Sequence, residues 1–245
     1  HDVALALVGA TYANGYVKNK VMEFVGPGVA SLSADCRNGI DCMTTETTCW
    51  SSIWQTDGVT EEYLAGHGRA DAYKELKPAD VAYYDGCIEL DLSKIECMIA
   101  LPMHPSYAYP IRELKANAKD LLHEIETRAN EQLSGKVKMD LVSKVRADGS
   151  IYVDQGIVAG CSGGTYENLC AVADILRGKS CGNGAFTLSI YPGSMPALAE
   201  LIRNGRASDL VDAGAIMREC FCGPCFGAGD CPANGEFSIR HTTRN

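Results

Sequence analysis

The sequence predicts an α/β fold built on mainly parallel sheets, and three observations carry that expectation. In the second half, short apolar runs that read as strands alternate with longer segments of helical period. That order suits a parallel sheet, because each return to the same edge needs a crossover, usually a helix. Apolar residues make up 46% of the chain and charged residues 22%, which provides for real cores and excludes a disordered or fibrous protein. The length of 245 residues accommodates one large domain or two ordinary ones.

Taken in order, the first half mixes helix and turn signals. Asp2 is placed to cap a helix over residues 3–11, its carboxylate accepting from unpaired backbone N–H groups. The Gly-Pro-Gly at 26–28 reads as a turn that opens a new helix. Residues 43–54, MTTETTCWSSIW, form a Thr-rich stretch that is a poor intrinsic helix former, so a helix here must be held by its surroundings. Residues 60–76 are expected as a polar surface helix, and the alternation in DGCIELDLSKI, 85–95, reads as a strand. Three prolines make 100–110 an extended connector, near which a domain boundary is placed. Residues 111–133 follow as an amphipathic helix, with Leu114, Leu121, Leu122 and Ile125 on its apolar face.

The second half reads as repeated β–α units. Residues 149–160 run as a strand into Cys161, and 165–178 form a helix with Thr165 as N-cap. A strand at 185–193 leads to Ser194, which caps the next helix with Pro196 near its first turn. Residues 212–221 then lead into CGPCFG, 222–227. In such folds the functional loops follow the carboxyl ends of the strands.

A net charge of -9 argues against a nucleic-acid face or binding to an acidic membrane surface, and an anionic substrate would need a local arginine. No apolar run approaches the roughly 18 residues of a membrane span, and the opening HDVALALVGA has no basic leader, so a cytoplasmic protein is expected. Twelve cysteines scattered over a long chain do not resemble a small disulfide scaffold. Cys49, Cys87, Cys97, Cys170 and Cys181 read as small buried apolar residues.

The chemistry gathers elsewhere. Cys222 and Cys225 form a C-x-x-C that alone suits a thiol–disulfide pair, half a zinc site or two cluster ligands. For zinc, Cys220, Cys231 or His241 are near enough to complete the set. Cys161 follows a strand and precedes a helix, a place that exposes a thiolate to a helix N-terminus. Three thiolates are one fewer than a closed iron–sulfur cluster wants, which leaves one iron open as a Lewis acid.

The pattern strand-Gly-Cys161 through Tyr166-Glu167, then YPGS at 191–194, then CGPC, resembles the aconitase family of iron–sulfur hydratases. The upstream stretch 23–57, with its GPGV turn and a glutamate among small residues, is similar to the family's second domain. The tail RHTTRN resembles its asparagine–arginine–asparagine segment. The resemblance implies aconitase-like central domains, three-layer α/β with mainly parallel sheets: a second-type domain over 1–105, a connector with an amphipathic helix over 106–150, and a truncated third-type domain over 151–245. It further implies a 4Fe-4S cluster on Cys161, Cys222 and Cys225, Glu46 as a catalytic carboxylate, and Arg244 binding a carboxylate of a small hydroxy-di- or tricarboxylic acid. The remaining domains of a longer enzyme would be its partners, this portion being inactive alone. Against the family pattern stand Cys42 and Thr243 in place of asparagines and Ser162-Gly163 in place of Thr-Asn. These favour, as the competing expectation, a non-catalytic metal-binding module or one stabilised by zinc on Cys222 and Cys225 with Cys220 or Cys231. His67, His104 and His123 stand isolated and are assigned no role.

Overall fold

The structure, a computed structural model, describes residues 1–182 and 184–244. It divides into two compact units at the Glu96/Cys97 junction, ahead of the proline-rich segment.

In the first unit the order is α1 (Asp2–Thr11), β1 (Val21–Phe24), α2 (Ala34–Thr44), β2 (Ser51–Trp54) and α3 (Gly58–Gly66). The strands β1 and β2 pair in parallel, Val21 opposite Ser51 and Phe24 opposite Trp54. The rings of Phe24 and Trp54 stack at 4.2 Å between centroids. Leu7, Val17 and Met22 form a small buried cluster against which Cys49 packs.

Three expectations for this unit are corrected. His1, not Asp2, occupies the N-cap of α1, and Asp2 lies inside the first turn, where its charge still suits the helix dipole. Residues 43–54 are not one helix. The helix α2 ends at Thr44, a tight 3-10 turn spans Thr45–Thr47, Thr48 takes a left-handed conformation at φ 63°, and the chain becomes strand β2. The β-branched residues that disfavour a helix are thus where it stops. Residues 85–95 form no strand, only a 3-10 turn at Leu92–Lys94. Asp91 accepts from the Ser93 N–H and hydroxyl, a local bond that competes with extended pairing.

The second unit opens with the antiparallel pair β3 (Met98–Ala100) and β4 (Ala108–Pro110). The amphipathic stretch that follows breaks at Asn117 into α4 (Ile111–Ala116) and α5 (Ala118–Gln132). Leu114, Leu122 and Ile125 enter the core there, whereas Leu121 packs at its edge. Next come β5 (Gln155–Val158), α6 (Gly160–Gly163), α7 (Tyr166–Leu176), β6 (Thr187–Ile190), α8 (Met195–Arg203), α9 (Arg206–Asp212), β7 (Ile216–Met217) and β8 (Ser238–His241). Their sheet runs β7-β6-β5-β8, parallel throughout, so the fold is mixed α/β with mainly parallel pairing as expected. All of β5 is buried, as a central parallel strand covered on both faces should be. One face packs Val158 and Ile190 against Leu169, Ala173, Leu201 and Leu210 from the crossover helices, and the other buries Ile157, Ala159 and Tyr191. Among the described residues no helix is long and apolar enough to cross a membrane.

The cysteine assignments also need correction. Cys87 and Cys97 are exposed, and Cys49, Cys170 and Cys181 are half-buried. The buried cysteine is Cys225.

Candidate metal and substrate site

Strand β5 delivers its chain to the site through a turn that only glycine fits. Gly160 stands at φ +82°, and a Cβ there would lie 2.7 Å from the Cys225 sulfur. The short helix α6 then carries Cys161, exposed, and Ser162, buried. Its end is clamped: Gly193 N–H donates to the Gly164 carbonyl at 2.7 Å, and Gly164 approaches the backbone after β6 so closely that an added Cβ would meet the Tyr191 oxygen at 2.5 Å. Glycine at these points lets two strand-end loops touch.

Strand β8 brings the third segment. Its His241 carbonyl accepts from Ala159 N–H at 3.1 Å, so residues 242–244 emerge beside Cys161. Thr243 is buried, with its hydroxyl 3.0 Å from the Ser162 hydroxyl and 3.6 Å from the Cys161 sulfur. Its backbone N–H donates to the Cys225 sulfur. Two of the residues that depart from the family pattern, Ser162 and Thr243, therefore bond to each other, and Thr243 also bonds to Cys161 and Cys225. Asn245, the last residue of the tail motif, lies outside the described residues.

Cys222 caps a 3-10 turn, Gly223–Phe226, and Cys225 lies within it, with Cys222 exposed and Cys225 only 7% exposed. The Cys225 N–H donates to the Cys222 carbonyl at 3.2 Å, and a Cβ on Gly223 would strike the Phe221 ring. Burial pushes the Cys225 thiol up, against the Thr243 N–H; the nearby Cys222 and Cys161 push it further, and the Arg244 charge pulls it down. The structure thus brings Cys161, Cys222, Cys225 and Arg244 to one end of the parallel sheet. Sulfurs gathered where Cys222 and Cys161 oppose the ionisation of Cys225 suit a cationic group that all three could ligate. Among the described residues no three His, Cys, Asp or Glu side chains make a ready single-ion cage.

The other donors point elsewhere. Cys220 meets the Met195 sulfur at 3.6 Å, and Cys231 donates to the Gly227 carbonyl at 2.7 Å. Burial pushes the His241 imidazole down to about 4. Glu46 belongs to the first unit, on the Thr45–Thr47 turn, half-buried, with the Thr45 hydroxyl 3.4 Å from its carboxylate.

Sequence reasoning missed a polar group behind the Cys222–Cys225 loop. The Tyr191 hydroxyl, just past β6, donates to Asp230 at 2.5 Å, and Arg218 donates to the same carboxylate at 3.3 Å. Burial and then the Asp230 bond push Tyr191 up to about 12. Burial would raise Asp230 too, but bonds from Tyr191 and Ser189 and the charges of Arg218 and Arg240 outweigh it and hold the carboxyl low. No sequence signal marks it, since Arg218, Glu219, Asp230 and Glu236 are the only charges in 218–237 and are no denser than in the chain as a whole.

Comparison with known proteins adds to this geometry. The family model described as "Aconitase family (aconitate hydratase)" matches residues 1–245. The chain is 29% identical over 248 residues to the 3-isopropylmalate dehydratase large subunit of Clostridioides difficile (strain 630), a match covering 100% of this chain and 50% of that protein. It is likewise 29% identical over 245 residues to the 2,3-dimethylmalate dehydratase large subunit of Eubacterium barkeri, again over 100% of this chain and 50% of the relative. The chain spans about half the length of the curated relatives it matches.

Proposed function

The chain belongs to the aconitase family, and from that premise we propose that it forms part of a hydro-lyase that removes and re-adds water on a hydroxy-di- or tricarboxylic acid. Within that class, the names of its relatives favour a substituted malate as substrate. Cys161, Cys222 and Cys225 would hold a 4Fe-4S cluster, and the observation that carries this reading is their meeting, with Arg244, at the carboxyl ends of parallel strands. Such a cluster, when bound, supplies a Lewis acid for a hydroxyl leaving group.

The chain's own residues would do the rest. The exposed Arg244 offers a planar fork that takes a carboxylate in two parallel bonds and so orients the substrate. Its carbonyl accepts from the Thr242 hydroxyl, which fixes the backbone from which the side chain projects. The Thr243 hydroxyl, itself paired with the Ser162 hydroxyl, provides a hydrogen bond at Cys161 where the family pattern has an amide nearby. Glu46 is the carboxylate assigned to hold and move a proton during water removal. The portions of the longer enzyme beyond this chain would complete the active site and the enclosure around the substrate.

The zinc-stabilised alternative is less supported, because Cys220 and Cys231 are engaged with Met195 and Gly227. Anaerobic reconstitution with iron and sulfide tests the choice. The expected product is brown, with about four iron per chain, and loses that iron when Cys161, Cys222 and Cys225 are changed to serine. Stoichiometric zinc that survives the same treatment, with no uptake of iron, would refute the cluster.

A further inference from the structure

Regular structure does little to fix the segment that carries Cys222 and Cys225. Between β7 and β8 the backbone makes one 3-10 turn, and further on Asp230 stands at φ 45°, a conformation that side chains other than glycine's rarely adopt. One side chain, Arg240, on β8 opposite Ile157 of β5, ties the backbone of this segment to the sheet at two points. Its Nη1 donates to the Pro224 carbonyl at 2.5 Å, between the two cysteines. Its Nη2 donates to the Asp230 carbonyl at 3.1 Å and reaches the buried Gln155 amide oxygen at 3.5 Å. Its Nε donates to the Ser238 hydroxyl at 3.1 Å, which orients the guanidinium plane. One rigid fork therefore grips the loop at two carbonyls six residues apart in sequence, while Tyr191 and Arg218 hold the Asp230 side chain.

We propose that Arg240 is a positioning residue for the Cys222–Cys225 loop: its guanidinium, through the Pro224 and Asp230 carbonyls, sets where the Cys225 sulfur stands relative to Cys161. The proposal rests on reading these cysteines as metal ligands, and it names the device that keeps them in place. A lysine at this position is a point charge on a flexible stem and cannot span both carbonyls at once.

The test uses Arg240→Lys and Arg240→Gln in the 245-residue chain, with far-UV circular dichroism to establish that each folds; Arg240→Lys decides the question if Arg240→Gln does not. Timed alkylation of the metal-free chain, read cysteine by cysteine by mass spectrometry, should show Cys225 reacting roughly tenfold faster, the effect of losing a charged hydrogen bond. Cys161, held by β5 and α6, should keep its wild-type rate. After anaerobic loading with iron and sulfide, the variants should surrender iron to a chelator sooner, and their reduced samples should give a broadened paramagnetic signal. Wild-type alkylation of Cys225 together with wild-type iron retention would overturn the proposal. So would equal acceleration at Cys161 and Cys225, the mark of general loosening. If the wild-type chain itself takes up no iron, the cluster reading fails, and the alkylation rates alone decide the role of Arg240.

Discussion

At Gly163 there is no room for a methyl group: a Cβ would fall on the His241 carbonyl oxygen, which also accepts from Ala159. Gly163→Ala should therefore push α6 away from β8 and cost about 1–3 kcal/mol, measured as a lowered urea midpoint. The same substitution at Gly66, helical and likewise without a left-handed φ, where a Cβ meets nothing within 4 Å, provides the control. Equal losses at both positions would show that the contact with the His241 carbonyl does not matter at Gly163. The Thr243 hydroxyl bridges Ser162 and Cys161, so Thr243→Val keeps the shape but removes the bonds. Its expected result is faster loss of bound iron in the reconstituted chain, with the fold weakened by about 1–3 kcal/mol because the buried Ser162 hydroxyl loses its partner. At this scale the sequence was only half legible. The cysteines announced themselves through spacing, but Thr243 and Ser162 registered as departures, because hydroxyls bonded to each other across 81 residues leave no local pattern.

Among elements, the caps give the sharpest contrast. Ser194 accepts from Ala197 N–H at the start of α8, whereas Thr165 occupies the N-cap of α7 with no side-chain capping bond. Ser194→Ala should cost about 1 kcal/mol, and Thr165→Ala a few tenths, by chemical denaturation. In the first unit, Asp57 caps α3 and pairs with the buried Arg37 at 2.7 Å. The Arg37 bond, with backbone donors at Thr60 and Val59, holds the carboxyl below its usual 3.8 despite burial. A lowered folded-state value means that the pair stabilises the fold fully above the unfolded value and loses this contribution as pH falls through the lowered one. Wild type should exceed Arg37→Met in urea midpoint at pH 7 by the equivalent of about 2 kcal/mol, and the gap should narrow in acid. A gap independent of pH would rule out the ionic part of the interaction. Helix ends in the second unit were readable because Ser-Met-Pro and Thr-Tyr-Glu are local signals. The strand expected at 85–95 failed for the complementary reason, since alternation carries no information about whether a partner strand exists.

At the level of the whole molecule, each unit has its own apolar cluster, and the second keeps its parallel sheet and crossover helices within itself. A polypeptide of residues 97–245 should fold by itself, with slow amide exchange in β5 and β6. Loss of that protection would show that the first unit is needed. Class and sheet direction were legible because parallel topology demands strand and helix in alternation. The prolines at 102, 105 and 110 suggest a boundary near 100–110, and the two compact units divide at Glu96/Cys97. A structure that gathers thiols from sites 61 and 64 residues apart in sequence needs its loops to end at one edge, and parallel strands are what make that possible.

The opposite rim of that sheet follows a different rule. Gly235, in the exposed turn that feeds β8, stands at φ +80° where an added Cβ would meet nothing within 4 Å, and Phe237 is already moored to Asp154 ahead of β5. A peptide tag or fluorophore spliced in at 234–235 would thus hang from the quiet side of the molecule, leaving the sulfur-bearing side open to whatever must dock there.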